Sequence, residues 1–207
     1  MPVSIAVLVS GRGSNLDAIL RAVKRGYIRN AIVSVVVSNK PGVRALGVAK
    51  RFGVESEVIE AKKGEDRGAY DSRLLKSLRA RGVDSENGLV LLAGFMRLLS
   101  PEFVRFYQGR ILNIHPSLLP AFPGLDAQRQ ALEHGAKVAG CTVHFVVPEV
   151  DAGPIVLQRA VQVKEGDTVD ALSSRILRQE HRLYPLAVKL FVEGKLNING
   201  RSVVIGS

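Results

Sequence analysis

Asn113 and His115 stand at the end of a largely apolar run, Arg110 to Ile114. A strand there aims an amide and an imidazole to the same side, because alternate residues share a face. Pro116 and Pro120 then stop regular structure and stiffen the chain that follows. Two donors directed alike at a strand's end can both hydrogen-bond one oxygen atom. That chemistry suits a carbonyl whose oxygen gains charge as it is attacked.

A second candidate lies at the N-terminus, where Gly11-Arg12-Gly13-Ser14-Asn15 follows one β-rich run and opens a helical pattern. Glycines let backbone N–H groups approach an anion, and a helix N-terminus adds a favourable dipole. The segment lacks the third glycine of a dinucleotide fingerprint and the Gly-Lys-Ser/Thr of a nucleotide-binding loop. A single phosphate on a sugar suits it better. As structure alone, it reads as a tight turn with Ser14 capping the helix. Met96-Arg97-Leu98-Leu99 follows another apolar run, where ligand crevices open in parallel sheets. A flexible Met and two Leu suit a flat heterocycle, and they equally suit a helix start packed on the core.

The other histidines have plainer readings. His134 precedes Gly135 at a helix end, His144 lies within an apolar strand as a buried supporting residue, and His181 falls on a long helix. Asp151 in Asp-Ala-Gly-Pro reads by itself as a turn-initiating residue. No metal site is expected, since the histidines have no further ligands at a recognisable spacing.

The elements that must position these groups alternate in the first half. Strands are expected at Ser4–Val9, Ala31–Val37, Val54–Ile59, Gly88–Leu92 and Arg110–Ile114. Helices are expected at Leu16–Lys24, Val43–Phe52, Ala69–Arg81 and Pro101–Tyr107. This rhythm predicts an α/β fold, a Rossmann-like, mainly parallel sheet with helices on both faces. The second half changes character. Cys141–Val147 and Ile155–Val163 are close enough in sequence to pair as an antiparallel addition, after a helix at Ala127–His134. Thr168–Leu190 reads as a long helix capped by Asp167 or Thr168 and interrupted at Pro185. Asn199-Gly200 marks a hairpin within Lys195–Ile205. No linker or repeat is evident, so one domain over 1–207 is the simplest organisation, with halves 1–110 and 111–207.

The chain carries 29 Lys and Arg against 19 Asp and Glu, a net charge of +10. The basic residues are scattered, Lys62-Lys63 being soon followed by Glu65-Asp66, and there is no Trp to stack on bases. Small anionic substrates, or simply solubility, account for the charge at least as well as nucleic acid. No apolar run approaches the ~20 residues needed to span a bilayer, and no signal peptide is evident. One cysteine, Cys141, excludes an internal disulfide and fits a cytoplasmic location.

Asn113-Ile114-His115-Pro116-Ser117-Leu118-Leu119-Pro120, with Asp151-Ala152-Gly153-Pro154-Ile155 downstream, resembles the folate-dependent formyltransferases. Ser10–Leu16 and Ala93-Gly94-Phe95-Met96-Arg97 narrow the likeness to the branch acting on phosphoribosylglycinamide, over roughly Ile5 to Leu186. The resemblance implies transfer of a formyl group from 10-formyltetrahydrofolate, a co-substrate, to the amine of 5'-phosphoribosylglycinamide in purine biosynthesis. It makes Asn113, His115 and Asp151 catalytic, with Asp151 the carboxylate that favours a charged His115. By the same resemblance Gly13, Ser14, Asn15 and Glu180 bind the ribonucleotide. Arg67, Met96, Arg97, Leu98, Leu99 and Asn113 meet the folate. The implied partners are small molecules alone, without nucleic acid or membrane, for a monomer or homodimer. Two positions depart from the pattern: no His occurs within Asp126-Ala127-Gln128, and Leu177 stands where relatives often have a polar residue. A sugar-nucleotide formyltransferase, a formyltetrahydrofolate deformylase and a basic RNA-binding module are the competing functions.

Overall fold

The structure, a computed structural model, describes residues 2–206. The chain divides into two compact units, Met1–Asn113 and Ile114–Ser207. The first alternates strand and helix as β1 (Val3–Val9), α1 (Ser14–Lys24), β2 (Ala31–Ser38), α2 (Arg44–Arg51), β3 (Ser56–Val58), α3 (Arg67–Arg79), β4 (Gly88–Leu92), α4 (Pro101–Phe106) and β5 (Ile111–His115). Its strands run in the order β3-β2-β1-β4-β5, every pair parallel. β1 lies at the centre, and its residues Ile5 to Val9 are entirely buried. A run apolar at every position fits a strand covered on both faces, and each buried Leu or Ile contributes ~1.5–3 kcal/mol.

Local chemistry sets the helix starts. Asp66 accepts from the Ala69 N–H at the head of α3, so that helix begins at Arg67, two residues before the expected Ala69. Ser100 accepts from Phe103 N–H ahead of Pro101 in α4. α1 differs from the expectation that Ser14 caps it. Its cap is Gly13 at φ 76°, with no side-chain capping bond, and Ser14 is already helical. A Cβ at Gly13 would also meet the Ala45 Cα at 2.7 Å, so glycine is required twice over.

The second unit contains α5 (Ala127–Glu133), β6 (Val138–Phe145), β7 (Ile155–Gln162), α6 (Val169–Val192), β8 (Leu196–Asn199) and β9 (Ser202–Ile205). β6 and β7 pair antiparallel as expected, though β6 starts three residues before Cys141 and ends at Phe145. β8 and β9 form the expected hairpin, and β9 joins the edge of β7 in parallel. Thr168 caps α6 through the Ala171 N–H. The interruption expected at Pro185 does not occur: α6 continues through it for 24 residues. Leu183, Tyr184, Ala187 and Val188 around the proline are buried. Their burial offsets the ~3 kcal/mol that proline costs a helix interior.

Candidate active site

β5 ends on His115, which is buried, while Asn113 two residues earlier is partly exposed. The segment after it is tied to β6 rather than left loose. Thr142 Oγ1 donates to the Ser117 carbonyl (2.7 Å) and accepts from the Leu119 N–H (3.0 Å). Gln158 Nε2 adds bonds to the Leu119 carbonyl and to Thr142. The Ser117 hydroxyl is committed to the Ala121 carbonyl, which leaves it a structural role. Thr142 and Gln158 were not singled out from sequence. A threonine and a glutamine on strands give no signal of what they brace.

Asp151 stands between two imidazoles. Its Oδ2 is 3.3 Å from His115 Nδ1, and its Oδ1 is 3.6 Å from His144 Nε2. The Gly124 N–H donates to the same Oδ2 at 2.8 Å. Burial pushes this carboxyl up, but the His144 hydrogen bond, the Gly124 N–H and the nearby His115 and His144 outweigh it. The group therefore stays below its ordinary range and is a carboxylate at neutral pH. Each imidazole turns its other nitrogen to a backbone carbonyl, His115 Nε2 to Phe122 (2.9 Å) and His144 Nδ1 to Phe145 (2.9 Å). A neutral imidazole has one N–H to offer, whereas an imidazolium donates on both sides.

Backbone geometry aims the carboxylate. Asp151 adopts a left-handed φ of 51°, which Asp tolerates better than most residues. Gly153 then passes so close to β6 that a Cβ there would lie 1.8 Å from the Phe145 carbonyl oxygen. His144 is buried as expected, and the structure adds that it meets the catalytic candidate Asp151 directly. An apolar strand around a single His carries no sign of that partner. Cys141, also on β6, is buried, and burial pushes its thiol up to about 12, which removes it as a nucleophile at neutral pH.

In the first unit, Gly13 and Asn15 are buried and Ser14 is partly exposed at the start of α1. Met96–Leu99 forms an irregular segment rather than a helix start. Met96 and Leu98 are exposed, at 62% and 53%, while Leu99 is buried. The Arg97 guanidinium lies over the Tyr70 ring, 4.1 Å from its centre. Arg67 and Arg97 both act on Asp71, a buried carboxyl whose Oδ2 accepts from the Ser100 N–H. Burial raises the Asp71 pKa above its ordinary value despite that bond and the two guanidiniums. Glu180 lies buried on α6 in the second unit.

Among the described residues, no three His, Cys, Asp or Glu are grouped to hold a metal ion. No described helix is long and apolar enough to cross a membrane.

A glycine turn before a helix, and a histidine-flanked carboxylate beside an Asn-x-His strand end, are the features of a formyl-transfer enzyme. The profile of the formyl transferase family matches residues 3–188, and the chain belongs to that family. It is similar to phosphoribosylglycinamide formyltransferase of Escherichia coli, with 45% identity over 95% of this chain and 90% of the relative. It is 47% identical to the trifunctional purine biosynthetic protein adenosine-3 of Gallus gallus over 95% of this chain, but spans only 19% of that relative's length. Among solved structures, glycinamide ribonucleotide transformylase 1 from Symbiobacterium toebii superposes with a TM-score of 0.95 and 53% identity, over 100% of this chain and 95% of that one.

Proposed function

We propose that this chain transfers the formyl group of 10-formyltetrahydrofolate to the amine of 5'-phosphoribosylglycinamide, a step of purine biosynthesis. The observation that carries the reading is Asp151 held between His115 and His144, two residues of chain away from the Gly153 approach. The similarity to enzymes named for this reaction, over nearly their whole length, supports the substrates.

The amine nitrogen attacks the formyl carbon and forms the new C–N bond, and the carbonyl oxygen becomes an oxyanion. His115, with Asp151 Oδ2 facing its Nδ1, and Asn113 donate to that oxygen. The formyl oxygen takes over the Nε2–H that otherwise meets the Phe122 carbonyl. The intermediate then collapses, breaking the bond to N10 of the folate, and the proton lost by the amine passes to that nitrogen with Asp151 as a relay. No covalent enzyme intermediate is needed, which agrees with the suppressed Cys141 thiol. Gly13, Ser14 and Asn15 at the α1 N-terminus would hold the ribonucleotide phosphate and Glu180 its sugar hydroxyls. Met96 to Leu99 and Arg67 would hold the folate.

The test is formyl transfer by purified protein given both substrates, with formate release followed in parallel. Product formation dependent on both substrates is expected. Formate release that does not require the ribonucleotide would replace this reading with a deformylase. Salt-sensitive RNA binding without formyl transfer would replace it with a nucleic-acid module.

A further inference from the structure

The Ser10 side chain joins three loops of the first unit at the ends of its parallel strands. Its hydroxyl donates to Asn39 Oδ1 (2.6 Å), in the turn after β2, and accepts from the Met96 N–H (2.8 Å), in the segment after β4. Its own N–H donates to the Gly94 carbonyl (3.0 Å), and the next residue, Gly11, accepts from the Ala45 N–H (3.1 Å). Ser10 is almost wholly buried, so water cannot stand in cheaply for a lost partner. The far end of the Met96 segment is held separately, by Asp71 on the Ser100 N–H.

One hydroxyl therefore fixes where the Met96–Leu99 segment begins, while its backbone is covalently continuous with Gly11–Gly13. An anion settling on the glycine turn orders Ser10, and through its hydroxyl orders the Met96 amide. Binding free energies are linked reciprocally, so an aromatic ligand on the Met96 segment must tighten the anion site by the same factor. We propose that Ser10 is a positioning residue that couples a phosphate-ester site at Gly11–Asn15 to a flat heteroaromatic site at Met96–Leu99. The proposal rests on the substrate reading above and assigns Ser10 a role in how the two substrates cooperate.

The test uses the full chain, with phosphoribosylglycinamide and tetrahydrofolate as a non-reacting pair, titrated singly and together by calorimetry. In the native protein each ligand should tighten the other by about fivefold or more. Ser10→Ala should bring that factor close to one, and Ser10→Thr, which keeps the hydroxyl, should restore most of it. Ser38→Ala is the control: its buried hydroxyl serves only the neighbouring turn at Lys40, so coupling should survive. Amide exchange gives a ligand-free readout, in which Met96 should exchange at least tenfold faster in Ser10→Ala. If Ser10→Ala does not fold, Asn39→Ala frees the hydroxyl to rotate and should give an intermediate loss. Native coupling in Ser10→Ala, equal loss in Ser38→Ala, or unchanged Met96 exchange would overturn the proposal. Both ligands binding the native protein independently would overturn the coupling alone. Binding of neither ligand would overturn the transferase reading and the coupling with it.

Discussion

Asp71 and Asp151 are both shielded aspartates, yet their surroundings drive them in opposite directions. Asp71 is met by the N–H and the side chain of one residue, Ser100, and its Oδ1 has no hydrogen-bond partner. Burial wins there, and its pKa rises. Asp151 is also desolvated, but two imidazoles and the Gly124 N–H meet its oxygens, and its pKa falls. Burial alone does not decide the charge of a carboxyl. The number of donors directed at its oxygens does.

The largest effect should come from unbalancing the crowded carboxylate. Asp151→Asn removes the charge that faces His115, so kcat should fall about 10²–10³-fold, the cost of losing one oxyanion donor. The Michaelis constants should change far less, and steady-state kinetics on both substrates separates the two. Near-native kcat would return Asp151 to a turn residue.

His144→Asn tests whether the second imidazole matters. It removes one of several partners of Asp151, so a fall in kcat of about tenfold is expected, equivalent to ~1.4 kcal/mol on the barrier. Kinetics beside a urea unfolding curve would separate that loss from lost stability. A stability loss without any kinetic loss would leave His144 a packing residue.

At Asp71 the comparison predicts a smaller effect of a different kind. Asp71→Ala leaves the Ser100 N–H without its acceptor and should cost ~1–3 kcal/mol. Asp71→Asn keeps an acceptor and buries no charge, so it should cost less than ~1 kcal/mol or stabilise. The sign with pH is distinctive. With a folded pKa above the unfolded one, native stability is fullest below the ordinary Asp range and declines as pH rises through the folded pKa. Asp71→Asn should remove that decline, as unfolding curves across pH 3 to 7 would reveal (roughly the window for a raised Asp). For Asp151, with its pKa lowered, the contribution is present above the ordinary range and lost as pH falls through the folded value.

The smallest effect belongs to a part-buried ion pair. Asp167, paired with Arg175 at 2.7 and 2.8 Å, has its pKa lowered to about 2, by Arg175 first and then the Lys164 N–H. Its contribution should be lost as pH falls from the ordinary 3.8 to about 2, a loss Asp167→Asn abolishes. High salt should shrink the difference.

The parallel half was legible because its apolar runs are continuous and end abruptly. β4 runs over Gly88–Leu92, the range its sequence predicts. β6 was harder, since Val138-Ala139-Gly140 looks like a turn. Gly140 is there because a Cβ would lie 2.1 Å from the Arg159 carbonyl on β7, a requirement visible only once the strands pair. Pro185 misled for the converse reason, as tertiary burial overrode its local preference. Around the site, His115 and Asn113 stood out through spacing and flanking prolines. His144, Ser10 and Asp71 act through partners distant along the chain, so their residue types announce nothing.

Gly153 has a bearing on how this protein would behave under saturation mutagenesis. With the Phe145 oxygen 1.8 Å from any Cβ, every replacement must push apart the strand carrying His144 and the turn carrying Asp151. A growth-based selection would therefore score Gly153 as intolerant as His115, although it offers no group to any substrate. The two would part company only when surviving protein is counted beside surviving activity. Gly153 variants should vanish from the soluble pool, whereas His115 variants should accumulate as folded, inactive chains.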